Sequence, residues 1–545
     1  MLTLPLEPTD DLADPLFKDA DSCAQWLKQL QLTNLQLAHS LLLTQINEFT
    51  RFAMRGLERL HTLELLRDTV HYVQNDYAKK LIAKPLPLNE SELVIFFAIV
   101  QLWQAMALGY QRCLQTHLAR DKQLDQQDAF LCQRCLMYCG LAISEYMRTG
   151  YEFDAKLWHQ LHGLYAFAEE RGLRLKDIPD SLNNVPPNVN QQRSSCHIIY
   201  VKTLLACYAH PAELTRSQLL LLDAWLTEWC NAVPIERSYT LSKGDAQPLA
   251  LDLAGAQGLQ PVKLVTHSPG MRYMAMVPLS KLLRVKTILL QQGKTPQQVA
   301  LGGHSNAREC IELLTFLHQH WCEDNSSRFA ARNPVSQHAQ LCYKPENIYA
   351  HFSGNAFKQA IHSVAANNMA KKQIEAFGRV LQDKPNRTQM GMECPLETWN
   401  VEDESLLGAK LTRIDTLGGR LSHNQLVALR IGDAETFMLG TTAWVSVTRT
   451  GQLCIGIRYL QGSVHAISLR IADANMDTSD KFSPGFLLQA VPALNTPPSL
   501  IIPRDWFKPE RVLEIQHQNG EKQHAKMGFS VGRGVDYERV SFTLV

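Results

Sequence analysis

The sequence carries almost no excess charge of either sign. Its 54 lysines and arginines stand against 53 aspartates and glutamates, a formal net charge of +1. A nucleic-acid surface needs a basic excess or stripe, so a polymeric nucleic-acid partner is not expected. Any anion must be held by a local arrangement of side chains and not by a general field. Paired cysteine spacing is missing too: the 13 cysteines are odd in number and scattered, several inside helical patterns. Free thiols in a reducing compartment are expected, and hence a cytoplasmic chain. The stretch MLTLPLEPTDDLADPLF has acids and prolines where a secretory signal has a basic start and an apolar core.

Long uncharged runs are nearly absent. LVIFFAIVQLWQAMALGY, 93–110, is the exception, and Gln101 and Gln104 interrupt it. Asn89 and Glu92 ahead of it form a capping-box pattern, so it reads as a buried helix of a bundle and no membrane span is expected. Motifs for chemistry are lacking as well. There is no G-x-S-x-G or H-E-x-x-H, LGGHS lacks the Lys-Ser/Thr of a phosphate loop, and no acid–base pair has supporting context. Nothing marks an enzyme, and no cofactor or metal is expected. Cys132, Cys135 and Cys139 in LCQRCLMYC fall on one helix face and read as core thiols. His159 and His162, like His318 and His320, have no carboxylate or cysteine at metal spacing and read as packed or half-exposed helical histidines. A metal- or cluster-dependent helical half would require stoichiometric zinc or iron.

What the sequence does contain is a strong change of period. At 545 residues the chain is long enough for two to four domains. From about 20 to 235 apolar residues recur at helical spacing, and AKPLPLN and the polar DIPDSLNNVPPNVNQQ interrupt them. Residues 1–237 are therefore expected to form an all-helical bundle or solenoid. Residues 238–325 read as a mixed joining segment of short hairpins and two helices, the second begun by Asn306 with Glu309 as another capping box. From 396 onward short alternating strands dominate, at the spacing of a small barrel. The expected class is thus α+β and multidomain: helical bundle first, small antiparallel β-barrel over 326–475, β extension over 476–545. AFKQAIHSVAANNMAKKQIEAFGRVLQD reads as a helix inserted at 356–383.

Two arginine pairs share one spacing. RFAMR contains Arg51 and Arg55, with Arg59 four residues on, and nothing strand-like follows; these three read as one solvated or salt-bridged helix face. SSRFAARNPVSQHAQLC, 326–342, contains Arg328 and Arg332, and the β region follows it. In that region lies VEDESLLGAK, with Asp403, Ser405 and Gly408 in the spacing D-x-S-x-x-G.

R-x-x-x-R followed by D-x-S-x-x-G in a small β-barrel resembles the PilZ domain, the bacterial receptor module for cyclic dimeric GMP. QLVALRIGDAETFMLGTTAWVSVTRTGQLCIGIRYLQG is similar to strands of that barrel, and the resemblance spans about 326–470. It implies that Arg328, Arg332, Asp403, Ser405 and Gly408 bind cyclic di-GMP. Guanidinium groups bond phosphate oxygens and the O6/N7 edge of guanine and stack on its face. A carboxylate accepts from the guanine N–H edge, a hydroxyl adds a short bond, and glycine permits close backbone approach or positive φ. Plainer roles exist: Asp403 and Ser405 can cap a turn, and Arg328 a helix C-terminus. The resemblance implies a receptor that signals through its helical part to a protein partner controlling pili, flagella, secretion or surface matrix. The alternative is an interaction scaffold whose barrel no longer binds nucleotide. The helix between the two motifs favours the scaffold, and the presence of all five residues favours the receptor.

Overall fold

The computed structural model describes residues 4, 8–10, 12–119, 124, 126–179, 194–303, 305–323, 333–357, 395–414, 418–472 and 481–545. Arg328, Arg332 and the helix expected at 356–383 lie outside the described residues. The chain divides into two compact units, Met1–Lys84 with Leu88–Arg328, and Pro85–Pro87 with Phe329–Val545.

The first unit opens with eight helices: α1 (Ala20–Gln29), α2 (Leu35–Arg51), α3 (Gly56–Tyr77), α4 (Glu90–Leu118), α5 (Asp128–Thr149), α6 (Ala155–Glu170), α7 (Cys196–Tyr208) and α8 (Arg216–Trp229). A four-stranded sheet follows, built from β1 (Ile235–Glu236), β2 (Leu249–Asp252), β3 (Gln260–Pro261) and β4 (Met271–Met274) in the order β1-β4-β2-β3. Helices α9 (Val277–Gln291) and α10 (Ala307–Cys322) complete it. One apolar core runs from Phe17 to Cys322, so the segment after 238 shares its core with the bundle.

Local chemistry explains where these helices begin. The Asn89 side chain accepts from the Glu92 N–H at 2.9 Å, and Glu92 accepts from the Asn89 N–H at 3.0 Å, so two orphan donors of α4 are satisfied reciprocally. At α10 the exchange is one-sided: Asn306 accepts from the Glu309 N–H at 2.9 Å. Helix α4 is long and apolar enough to cross a membrane, yet more than half of its most apolar stretch is buried inside the unit. Trp103 and Tyr110 stand in that core.

RFAMR is a turn and not a helix face. Helix α2 ends at Arg51, Arg55 precedes α3, and Arg59 turns inward, 1% exposed. Its guanidinium donates to the carbonyls of Phe49 and Phe52, closing the C-terminus of α2. The reading of one solvated or salt-bridged helix face holds for Arg51, ion-paired with Glu48 at 3.0 Å, and is corrected for Arg59 and for the single face: i, i+4 spacing does not reveal that a helix has stopped between its members. Burial lowers the Arg59 pKa to about 10.

A buried charge cluster ties three helices together. Glu64 on α3 accepts from Tyr110 on α4 at 2.7 Å, from Arg134 on α5 at 2.8 Å and from Arg67 at 3.0 Å. The Arg134 side chain is fully buried and its guanidinium lies 4.2 Å from the Phe130 ring centroid. Cys132, Cys135 and Cys139 are core thiols: burial raises the pKa of Cys135 and Cys139, and a hydrogen bond with Cys196, followed by burial, raises that of Cys132. His162 is also buried, bonded to the Tyr200 hydroxyl at 2.6 Å and the Gln257 carbonyl at 2.8 Å, and burial lowers its pKa to about 4. Among the described residues no three His, Cys, Asp or Glu side chains are grouped as a metal site.

The second unit holds two closed six-stranded barrels. The first contains β5 (Asn333–Tyr343), β6 (Glu397–Ser405), β7 (Gly408–Arg413), β8 (Leu426–Ile431), β9 (Met438–Val447) and β10 (Leu453–Tyr459), with α11 (Pro345–Ser353) between β5 and β6 in sequence. Its strand order is β10-β7-β6-β5-β8-β9. The second contains β11 (Val464–Ile471), β12 (Ser483–Leu488), β13 (Ser499–Ile502), β14 (Val512–Gln516), β15 (Lys522–Arg533) and β16 (Glu538–Leu544), in the order β11-β12-β13-β16-β15-β14. The order helical first, β last holds, and what reads as an extension is a barrel of its own. Val464–Ile471, inside the range expected for the first barrel, pairs with β12 and β14. Alternating strands look alike in sequence whichever ring they close, because period 2 specifies a buried face and not a partner.

The barrels meet through a shared apolar cluster that joins Cys342, Leu426 and Leu439 of the first to Phe486, Ile501 and Tyr537 of the second, with Ile348 of α11 among them. The turn before β16 is also bonded to the first barrel. The Val535 N–H donates to the Asn424 carbonyl at 3.0 Å, and Asp536 accepts from the Leu426 N–H at 3.0 Å. Burial pushes the Asp536 pKa up to about 6, with the Glu346 charge adding to it.

Two outcomes are expected. Glu64→Ala leaves Arg134 and Arg67 buried without their carboxylate, and should destabilise the helical unit by about 3–5 kcal/mol in denaturant unfolding followed by far-UV circular dichroism. A raised carboxyl pKa favours the protonated fold, so its contribution is complete below the ordinary value of 3.8 and is lost as pH rises through about 6. Asp536→Asn should therefore gain stability relative to the unaltered chain across that window, by about 2–3 kcal/mol at neutral pH. A stability difference that stays flat with pH would show that Asp536 does not titrate in the junction.

Candidate functional site

Strand β6 ends and β7 begins around the two-residue turn Leu406–Leu407, and the D-x-S-x-x-G residues lie on this hairpin. Ser405 pairs with Gly408 across it. The Ser405 hydroxyl donates to the Gly408 carbonyl at 3.2 Å and accepts from the Leu407 N–H at 3.3 Å, so it closes the turn. Gly408 is needed for close approach and not for positive φ. A β-carbon there would stand 2.0 Å from the carbonyl oxygen of Ile457 on β10.

Asp403 sits beside a bulge. The register shifts between Val401 and Asp403, which places Glu402 and Asp403 against the single residue Lys410. Glu402 is the main partner of that lysine, at 2.5 Å, and it also accepts from the Thr412 hydroxyl. Hydrogen bonding to Lys410 and Thr412 lowers the Glu402 pKa, and the same bond to Glu402 raises that of Lys410, with the Asp403 charge contributing through space. Val401, Ala409 and Leu411 point inward, so Lys410 and the residues in its row face out of the barrel.

Strand β5 brings the far part of the sequence to this point. Its first residues pair with the end of β6: Asn333 is opposite Glu404, and Pro334 is opposite Asp403. Arg332, outside the described residues, precedes β5 in sequence. The backbone register thus brings Asn333 and Pro334 against residues of the second motif about seventy positions on.

The same outer face carries groups that sequence reading did not single out. Following the ladder sideways, Lys410 pairs with Gly456 on β10, and Gly456 with Trp444 on β9. The Trp444 indole lies over Gly456: a β-carbon on that glycine would come within 2.1 Å of the indole nitrogen. One row therefore holds a carboxylate, an ammonium group, bare backbone and a half-buried indole. In the neighbouring row Gly408 pairs with the exposed Arg458. Tyr459 donates to Glu404 at 3.1 Å, and burial followed by that carboxylate keeps its phenol protonated. A Gly-Ile-Arg-Tyr run inside an alternating strand was the available signal for Gly456 and Arg458. Trp444 had none, because its partner is fixed only by pairing.

This arrangement has the chemistry of a binding surface. It offers an outward carboxylate at a turn, cations on either side and a flat aromatic surface, the group types that recognise a purine base and a phosphate. A cavity of about 590 Å³ exists in the helical unit, lined by Gln104, Tyr146, Leu157, Gly163, Leu164 and Phe167 among others, and it contains none of the motif residues.

Comparison with known proteins agrees with this division of the chain. Residues 21–239 match the family model described as Cyclic-di-GMP receptor FimW, N-terminal domain, and residues 467–545 match the FimW C-terminal beta-barrel domain. The chain is similar along most of its length to a cyclic-di-GMP receptor. It is 21% identical over 541 residues to the protein named Cyclic-di-GMP receptor FimW from Pseudomonas aeruginosa, covering 92% of this chain and 86% of that relative. The two matched ranges correspond to α1–α8 and to nearly all of the second barrel. The first barrel lies between them.

The Gly408 contact generates a test that needs no ligand. Gly408→Ala drives a methyl group into the β10 backbone, and should lower the unfolding stability of the ligand-free barrel unit by about 1–3 kcal/mol. An unchanged melting curve would mean that β7 and β10 do not pack this closely.

Proposed function

We propose that this chain is a cytoplasmic, non-enzymatic receptor for cyclic di-GMP whose first barrel is PilZ-like and whose helical unit passes the signal to a protein partner. The observation that carries this reading is the β5–β6 register, which sets the residues following Arg332 against Asp403. In this reading Arg328 and Arg332 supply guanidinium groups to phosphate and guanine, and Asp403 accepts from the guanine N–H edge. Ser405 and Gly408 hold the hairpin on which Asp403 stands, and Trp444 offers a base a stacking surface. Similarity to a protein named as a cyclic-di-GMP receptor supports the choice of ligand.

The helical unit is assigned the partner because it is large and, among its described residues, carries no cluster suited to chemistry. Ligand held at the β6–β7 hairpin would alter how the chain enters β5, and that strand end is the route by which binding is read out.

Calorimetric titration of cyclic di-GMP into the full chain tests the proposal. Micromolar or tighter binding is expected, weakened at least tenfold by Arg328→Ala and by Asp403→Ala with folding intact. No heat and no thermal shift at high ligand would leave the scaffold reading, with the barrel acting as an interaction surface.

A further inference from the structure

We infer that the second barrel completes the ligand site, with Arg458 of the first barrel and Arg539 of the second together holding one phosphate of the cyclic dinucleotide at the junction between the barrels. This inference rests on the receptor reading and extends it to residues that neither sequence motif contains.

The placement follows from pairing. Arg458 on β10 is opposite Gly408 on one side and Thr441 on the other. Thr441 is buried and acts on the Tyr537 phenol, which the turn before β16 brings over from the second barrel. That turn is fixed by the bonds of Val535 to Asn424 and of Asp536 to Leu426. Arg539 lies two residues beyond Tyr537, on the same face of the extended chain. Arg458, Thr441, Tyr537 and Arg539 therefore form one row of neighbours that begins at the D-x-S-x-x-G hairpin and ends on the second barrel.

The charges in this row are unbalanced. Both guanidinium groups act on the Tyr537 phenol: burial and then the Asp536 charge push its pKa up to about 12, and Arg539 and Arg458 pull against that rise. Arg539 donates through Nε to Ser499 at 2.9 Å, a neutral partner, and burial disfavours its charge. Among the described residues neither arginine has a carboxylate within ion-pair distance. The nearby acids are engaged elsewhere, Glu538 with Arg533 at 2.9 Å and with the Phe507 N–H at 3.0 Å, and Asp536 with Leu426. Two cations drawn toward one hydroxyl, one of them half buried, repel each other unless an anion joins them. A phosphodiester suits the gap, because guanidinium groups bond its two free oxygens in a forked geometry and the Tyr537 hydroxyl can add a donor. A ligand that reaches from Asp403 to this row would be held by both barrels at once.

The test is titration of the full chain with cyclic di-GMP and, separately, with inorganic phosphate. Arg458→Ala, Arg539→Ala, Arg539→Lys and the double variant are compared with Asp403→Ala and with Lys526→Ala, a second-barrel cation outside the row. Each single arginine variant is expected to weaken cyclic di-GMP binding about tenfold and to reduce its salt dependence, and the double variant to lose less than the product of the two. Arg539→Lys keeps the charge and the packed stem but not the fork, and should fall in between; Lys526→Ala should bind as the unaltered chain does. Binding that Asp403→Ala abolishes and the arginine variants leave intact overturns this inference alone. Heat from inorganic phosphate that the arginine variants remove, with cyclic di-GMP binding unchanged, assigns the pair to a free anion and overturns it as well. If the unaltered chain does not bind cyclic di-GMP, the receptor reading and this inference fall together.

Discussion

One strand holds the candidate site together. Strand β5 pairs with β6 along one side and with β8 along the other, so its register is fixed twice. Ala339 and Leu341 turn into the core at 1% and 0% exposure, and a slip of one residue would send both to solvent and their polar neighbours inward. The register that satisfies the core sets Ala339 opposite Trp399, and an irregularity between Gln337 and Pro334 shifts it by one so that Pro334 stands opposite Asp403. Position at the rim thus depends on the core register and on the irregularity beyond it, while well inside the barrel Trp399 on β6 lies under the Arg413 guanidinium at 4.9 Å and Arg413 is bonded to Glu397 at 2.9 Å.

The second barrel depends on the first in a comparable way. Its own core, from Ile467 through Val540, is small, and the apolar cluster around Ile348 and Tyr537 belongs to neither ring alone. The turn at 534–537 carries this association by backbone and carboxyl bonds, and it is tight: a β-carbon on Gly534 would meet the Tyr537 ring and the Asn424 carbonyl. Polar groups at such a junction need partners from across it, since water is excluded and an unmet donor or acceptor there is costly. Asp536 and Tyr537 find theirs on the first barrel, so the pairing of barrels is specific as well as apolar.

Much of this was legible in the sequence wherever the signal is local. Asn89 with Glu92 announced the start of α4, the helical period announced the bundle, and turn-separated alternation announced a β-rich C-terminal half. Features set by distant partners were not legible. Arg59 looks like any surface arginine until the end of α2 is placed beside it. Glu64 and Arg134 are 70 residues apart and show no pattern, although their ion pair ties α3 to α5. The strand at 464–471 alternates as the strands before it do, and only its hydrogen bonds assign it to another ring. The D-x-S-x-x-G spacing was recognisable because it is a local hairpin device. Its neighbours Lys410, Trp444 and Arg458 come from three strands, and pairing alone puts them in adjoining rows.

The bulge at Glu402 and Asp403 shows how a local irregularity can prepare a binding surface. In an unbroken ladder, successive residues point to opposite faces, and one of these two acids would have faced the core. The extra residue lets both serve the outer face, and they divide the work. Glu402 takes Lys410 and Thr412, satisfying the lysine within the strand pair. The Asp403 charge also acts on Lys410 through space. A carboxylate is an acceptor for an N–H edge. Glu402 therefore helps to shape the outer face on which Asp403 lies, and its place in the sequence, immediately before the motif, gives no hint of that role.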